Sequence, residues 1–530
     1  HSYYFISIYD IDITVFGCTG NAGRGVAFQL MRSALLIANE KKSIHKKGEK
    51  SDRTTSLRIG LAGRNRSKVE TTLQGLKQEL AILDKAGTNL LDITVLVADA
   101  NDPASMAAMT ASSTVVISCA GPFGRYGEAC VKACIEHGAH YLDITGEVDW
   151  VTEMIHKYDE QAKGAGVTLL PFSGYDCVPA ELAMILTNDA LLSLNLKGST
   201  SSSSSMVLRE LNLAFGGKGG GFPRGTLNTI LDGLDGKGKG SKKKSDDNNK
   251  NFERFYPNEY KSTVQETLSA RNFLFPKWSR HVNQYTGPNF MATVNAPVLC
   301  RSAAAVAVSS SSATTALSSR VPSAPLVMSD RSIVSGSPTL LNGYGLFPTQ
   351  LYIVALVFSG IAFFVPPVRS WLRNKLTTYS FAGNPEGNVV VTAEGIPDKS
   401  YSSSTTKDNK DTSTIRSTMK MVVPGDAGIY ATGLFAVSVA ETLLEVVVSS
   451  SSGTGTNSNS NKSLLPAGFH PPVGALHHAA VMGSEDGNGI GGIGLLVRNL
   501  CRLGTKINLE LIDESTNKNT VLDPTTMMDI

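Results

Sequence analysis

Between residues 11 and 171 the chain alternates short apolar runs with amphipathic stretches. IDITVF at 11–16 reads as a strand buried on both faces, and 23–38 as a helix with Val26, Leu30, Ala34 and Ile37 on one side. The same alternation predicts strands at 57–62, 91–97, 114–119, 141–144 and 168–171. Helices are predicted between them at 67–83, 103–109, 127–137 and 148–163. Strands spaced by helices imply βαβ crossovers, so the predicted class is α/β with a doubly wound parallel sheet over residues 1–185.

Five stretches break this pattern: 40–53, 198–205, 236–250, 401–418 and 449–463. They are rich in charge, Ser, Thr, Asn or Gly, cannot bury enough apolar surface to offset backbone ordering, and read as surface insertions. The lysine run in 236–250 reads as a solvated loop more readily than as a phosphate or lipid site.

The 530 residues are 42% hydrophobic, enough for large cores in two to four domains. Lys+Arg 49 against Asp+Glu 46 leaves a net charge of +3, which argues against a general nucleic-acid binder. The seven cysteines are odd in number and scattered without zinc spacing, so neither a disulfide scaffold nor a metal site is expected and a reducing compartment is favoured. Numbering begins at His1 rather than Met, so the expectation is that the natural N-terminus, with any targeting signal, lies upstream.

Directly after the first predicted strand comes Gly17-Cys18-Thr19-Gly20-Asn21-Ala22-Gly23. A GxxGxxG turn that opens a helix lets backbone approach a pyrophosphate at the helix N-terminus, although the same glycines also serve close helix–sheet packing. After the second strand stand Arg64, Arg66 and Lys68 with no carboxylate, which favours NADP(H) over NAD(H) through a 2′-phosphate contact at Arg64. Their alternative is that of solvated helix-start cations. Asp99 falls where an adenine contact is common in such folds, and Ala120-Gly121-Pro122 forms a small-residue loop against which a nicotinamide ribose fits, or an ordinary Gly-Pro turn.

Asp143, Glu147 and Asp176 follow later strands and are candidates for proton transfer or positioning. Glu147 and Asp176 read equally well as caps of the helices that follow. Tyr126, Asp143 and Asp176 are the catalytic candidates. None of the fifteen tyrosines has a lysine four positions on, which excludes the usual short-chain dehydrogenase pair.

From 332 to 368 no residue is charged, and LYIVALVFSGIAFFV at 351–365 is almost wholly apolar before Pro366-Pro367. As a helix, those residues reach about 22 Å, short of the ~30 Å hydrocarbon core. An interfacial or re-entrant anchor, a short span extended through Leu346, and a buried core helix all remain open.

The ordered series Gly17–Gly20, Ala62–Arg64, Cys119–Phe123, Tyr126–Glu128, Tyr141–Glu147 and Gly174–Pro179 resembles the saccharopine dehydrogenase-like oxidoreductases. This family includes the mycobacterial trans-acting enoyl reductases. Gly225-Thr226, Asn289–Ala292, the apolar 351–376, Pro424–Tyr430 with 431–444, and Pro466–Gly468 extend the likeness over most of the chain. Two departures stand out: Asn21-Ala22 replaces the usual aromatic-Thr, and Asn295 lies near the place of an expected aspartate.

The resemblance implies a Rossmann-like domain (1–185), a second α/β domain with a mixed sheet (186–345), and a short hydrophobic membrane-associating segment (346–376). It implies that 377–530 returns to the second domain and sends a late helix back onto the first. It further implies an NAD(P)-dependent oxidoreductase on the cytoplasmic side of a membrane or lipid droplet, a role in lipid metabolism such as glycolipid biosynthesis, and an apolar or lipid substrate. A homodimer is compatible with it. The expected function is an NADPH-linked reductase of a lipid-like or enoyl substrate. The alternative is a membrane or droplet protein that keeps the fold without turnover. No arginine cluster matches a dicarboxylate amino-acid site, which disfavours saccharopine as substrate.

Overall fold

The computed structural model describes residues 9–45, 56–83, 91–194, 207–218, 227, 231, 254–311, 326–334, 344–378, 383–397, 415–451, 465–477, 479–481, 490–514, 516 and 518–525. The stretches 198–205 and 236–250 and the Gly225-Thr226 motif lie outside the described residues.

Six strands alternate with helices in the first 190 residues: β1 (Ile11–Phe16), α1 (Asn21–His45), β2 (Arg58–Gly63), α2 (Arg66–Leu83), β3 (Asp92–Val97), α3 (Pro103–Ala111), β4 (Ser113–Ser118), α4 (Phe123–His137), β5 (His140–Asp143), α5 (Val148–Ala165), β6 (Thr168–Leu170) and α6 (Val178–Leu192). Every element predicted in this part is present, with ends shifted by at most four residues except that α1 runs seven residues further than expected. All six β1 residues are buried, as a central strand of a doubly covered sheet demands. Its one carboxylate, Asp12, is satisfied by the Arg58 guanidinium at 2.6 Å and the Arg58 N–H at 2.9 Å.

Two β-sheets organise the chain. The first is parallel, in the order β13-β6-β5-β4-β1-β2-β3, where β13 is the late two-residue strand Gly468–Phe469. The order reverses between β1 and β4, whose register pairs Val15 with Ile117 and Phe16 with Ser118. A crevice at that switch point is where open α/β sheets hold ligands.

The second sheet is mixed, in the order β17-β16-β12-β11-β7-β10-β9-β8. Its strands are β7 (Leu208–Lys218), β8 (Lys277–Ser279), β9 (Gln284–Pro288), β10 (Val327–Ser332), β11 (Asn388–Pro397), β12 (Ile415–Pro424), β16 (Lys506–Asp513) and β17 (Lys518–Leu522). β14 (Ala480–Val481) and β15 (Ile490–Gly491) form a separate small pair. Only β7 and β10 run parallel in the large mixed sheet. α6 packs against β7, β11, β12 and β16, with Ser417 Oγ donating to the Thr187 carbonyl at 2.8 Å.

The helix Thr432–Ser451, entered through the π-turn Ala427–Ala431, packs on α1, β1, β4 and β5. Backbones meet closely at this crossing: a Cβ on Gly433 would stand 2.8 Å from the Gly25 carbonyl oxygen. The stretch Ala427–Ser449 is long and apolar enough to cross a membrane, yet 89% of its most apolar 18-residue window is buried in the protein.

Three insertion boundaries need correction. Residues 40–45 continue α1, Ile415–Thr418 belong to β12, and 449–451 end the Thr432–Ser451 helix. Polar composition loses there to continuing backbone hydrogen bonds. The buried-core reading of 351–365 is also overturned. In the helix Leu346–Phe364 only Thr349 and Ile353 are buried, and Leu351, Phe358 and Phe364 are each about 70% exposed. Its first turns rest on β9, where Thr349 Oγ1 donates to the Tyr285 carbonyl at 3.3 Å. Nineteen residues reach about 28 Å, near the thickness of a hydrocarbon core.

Candidate functional site

A cleft of about 490 Å³ opens outside the C-terminal ends of β1–β4, a size typical of cofactor sites. Gly17, Thr19 and Gly20 form one wall, and Gly63 with Arg64 another. Ala98 to Asn101 follow from β3, Cys119 to Pro122 from β4, and Arg125 with Tyr126 from the first turn of α4. Nine proposed residues therefore meet in one space: Gly17, Thr19, Gly20, Arg64, Asp99, Ala120, Gly121, Pro122 and Tyr126.

The glycine turn has a steric reason. Gly17 adopts φ +83°, and a Cβ there would stand 2.9 Å from Ala120 N. A Cβ on Gly23 would overlap the Gly17 carbonyl oxygen, so Gly23 tightens the turn without lining the cleft. Gly20, by contrast, meets nothing nearer than 3.5 Å and leaves room for a ligand against the backbone. The α1 N-terminus begins one residue later, which favours an anion there. Glycine cradle, helix terminus and guanidinium groups together fit a phosphorylated dinucleotide.

Of the three cations after β2, Arg64 alone lines the cleft; Arg66 pairs with Glu70 at 3.7 Å along α2. Asp99 accepts from Asn101 N–H at 3.0 Å and Asn101 Nδ2 at 3.1 Å, which fixes its carboxylate at the rim. The Cys119 thiol is pushed up by burial, then by Cys18 and Asp143, and stays protonated near neutral pH.

The other carboxylates lie elsewhere. Asp143 is fully buried and does not line the cleft. Its oxygens accept from Tyr141 OH at 2.7 Å, Thr145 N–H at 3.0 Å and Phe172 N–H at 3.2 Å, while burial lifts its pKa to about 7. Those bonds tie the ends of β5 and β6 together.

Glu147 caps a helix, but not the one that follows it. Its carboxylate accepts from Phe123 and Gly124 N–H at the start of α4. Asp176 makes no cap bond to α6, whose N-cap is Cys177, and burial raises its pKa to about 6.

Sequence reasoning missed Arg125, Arg373 and Asp330. Arg373 reaches the cleft from the distant helix Pro366–Thr378, a placement no local motif signals. Asp330 is buried and accepts from Asn289 Nδ2 at 2.7 Å and Asn295 Nδ2 at 2.8 Å. Asn295 sits on the helix Ala292–Ser311, not on a strand, and serves as a donor to that carboxylate. Among the described residues, no group of three His, Cys, Asp or Glu is arranged to hold a metal.

Residues 42–170 match the family model described as saccharopine dehydrogenase NADP binding domain. That range takes in Arg64, Asp99, Tyr126 and the 119–123 and 141–147 motifs; the glycine turn precedes it. The chain is 32% identical over 225 residues to a lipid droplet localized protein of Caenorhabditis elegans, 42% of this chain and 45% of that one. It is 32% identical to a saccharopine dehydrogenase-like oxidoreductase of Bos taurus, over 34% of this chain and 38% of the relative. A trans-acting enoyl reductase of Mycobacterium bovis is 31% identical over 33% of this chain and 34% of its own length. The chain thus spans less than half the length of each of these three relatives. The assignment of NADP(H) from Arg64 agrees with the family description. Residues 42–170 are therefore similar to the saccharopine dehydrogenase NADP binding domain, and the chain is similar over 179 residues to a saccharopine dehydrogenase-like oxidoreductase.

Proposed function

We propose that this chain is an NADPH-linked reductase of a lipid-like substrate, such as a carbon–carbon double bond conjugated to a carbonyl, working at a lipid surface. The observation that carries this reading is the joining of Gly17, Gly20, Arg64, the Ala120–Pro122 loop and Tyr126 in one cleft. Arg64 would hold the 2′-phosphate, Gly20 and the α1 terminus the pyrophosphate, and Ala120 to Pro122 the nicotinamide ribose. When bound, the cofactor supplies a hydride. Tyr126, half-buried on the first turn of α4, would donate a hydrogen bond to the substrate carbonyl and a proton to the reduced product.

Two observations support the lipid side: the exposed apolar helix Leu346–Phe364, and the similarity to a lipid droplet localized protein and to a trans-acting enoyl reductase. The test is NADPH oxidation by purified protein with enoyl thioesters and enoyl lipids, repeated on Tyr126→Phe. Turnover that falls on removing the hydroxyl supports the reading, and binding of NADPH without any turnover overturns it.

A second reading keeps the cofactor without turnover, as a droplet-surface protein. It is favoured by the cleft lining, where among the described residues Asp99 is the one carboxylate and neither histidine nor lysine appears. It predicts NADPH binding that no lipid substrate discharges.

A further inference from the structure

Arg373 lines the nucleotide cleft, yet it belongs to the helix Pro366–Thr378 that follows the exposed apolar helix. The two helices are separated by a single residue, Val365, and Arg369 Nη1 donates across the joint to the Phe363 carbonyl at 3.5 Å. On the second helix Val368, Arg369, Leu372, Arg373 and Leu376 form one half-buried to buried stripe, while Trp371 is 56% exposed. The stripe is the less exposed side of the helix, and Arg373 on it lines the cleft. The preceding helix offers Leu351, Val354, Phe358 and Ile361 outward without a protein partner surface among the described residues. Arg369 and Lys375 lie just past its C-terminal end, where a phospholipid headgroup layer would meet an inserted apolar helix, whereas Arg373 turns into the cleft.

The geometry points to Arg373 as a ligand for a phosphate of the bound dinucleotide and, through it, to coupling between dinucleotide binding and seating of the apolar helix on a phospholipid surface. This rests on the proposed function, in that it takes NADPH and a lipid surface as the two ligands. Guanidinium–phosphate contacts are directional and charge-assisted, so a bound phosphate restricts where the Pro366–Thr378 helix can sit. A lipid surface that holds Leu346–Phe364 restricts the same helix through a one-residue joint. Two ligands that order one element favour each other, and the factor must be the same in both directions.

The experiment uses the full chain, with NADPH fluorescence titrations in the presence and absence of phosphatidylcholine–phosphatidylserine vesicles. Vesicle flotation is measured in parallel with and without NADPH. Wild type is expected to bind NADPH at least about 5-fold tighter on vesicles, and to bind vesicles tighter by the same factor with NADPH. Arg373→Ala should weaken NADPH binding about 10-fold or more and bring both factors to one while the protein still floats. Arg373→Lys, which keeps the charge, should recover part of each. Circular dichroism checks that the variants fold. Unchanged NADPH affinity in Arg373→Ala overturns the inference, as do wild-type factors of one. In that last case NADPH binding and flotation both persist and the proposed function stands. If wild type neither binds NADPH nor floats, that function fails and takes this inference with it.

Discussion

The Glu147 carboxylate accepts a hydrogen bond from the Phe123 N–H at Oε1 and from the Gly124 N–H at Oε2, each at 2.9 Å. The N-cap residue of α4 is Pro122, whose side chain cannot cap, so a residue more than twenty positions downstream supplies the acceptor. This contact orients the helix turn that carries Tyr126 beside the Ala120–Pro122 loop. Glu147→Ala should cost about 1–2 kcal/mol of stability by urea unfolding, the usual penalty for a lost helix cap. Glu147→Gln keeps one acceptor and should lose less.

In the proposed function Arg64 would distinguish the two nicotinamide dinucleotides by holding the 2′-phosphate. Removing a charge-assisted contact costs about 1.5–3 kcal/mol, or roughly 10- to 150-fold in affinity. Fluorescence titration of Arg64→Ala should show NADPH weakened by that factor and NADH little changed. Equal losses for both would place Arg64 at a phosphate they share.

Asp143 sets a pH dependence of stability. Its ordinary pKa of 3.8 is raised to about 7 in the folded protein by burial, opposed by the donors at Thr145, Tyr141 and Phe172. The folded state therefore keeps a proton that the unfolded chain has released. The contribution is fully present below about pH 4 and is lost as pH rises through 7, by up to about 1.4 kcal/mol per pH unit. Asp143→Asn mimics the protonated form and should flatten that part of the pH–stability profile in thermal unfolding. A profile as steep as wild type would assign the dependence to other buried acids.

Phe358 is 69% exposed on the Leu346–Phe364 helix. Phe358→Asp should leave unfolding stability within about 0.5 kcal/mol, as exposed substitutions do. Vesicle flotation should fall by roughly 10- to 150-fold in partition, the value of about 1.5–3 kcal/mol for one buried aromatic side chain. Flotation unaffected by this change would remove the helix as the lipid contact.

The first sheet was legible because its signals are local: apolar runs of strand length, helical periodicity between them, and glycines where a turn demands them. The candidate cleft was legible for the same reason, since Gly17, Arg64, Asp99 and Ala120 each lie one or two residues past the end of a strand. The acid residues were harder. Asp143 and Glu147 sit four positions apart in similar context, yet one is sealed under the sheet and the other reaches back to α4, a difference set by packing. Arg373 and Asp330 gave no local signal because elements far along the chain bring them into place. Exposure of the apolar helix could not be read either, since a core helix has the same composition, as Ala427–Ser449 shows.

The strand Gly468–Phe469 pairs with β6, and Thr168 Oγ1 donates to the Pro466 carbonyl across 298 residues of sequence. During synthesis the nucleotide-binding sheet thus emerges with an open edge that its own chain covers only much later. At about 5–20 residues per second that edge stands bare for roughly 15–60 s. An unpaired strand edge invites pairing with other chains. The outer edge of β6 is therefore completed only after the chain has passed residue 465, which makes this the last pairing of the first sheet to become available.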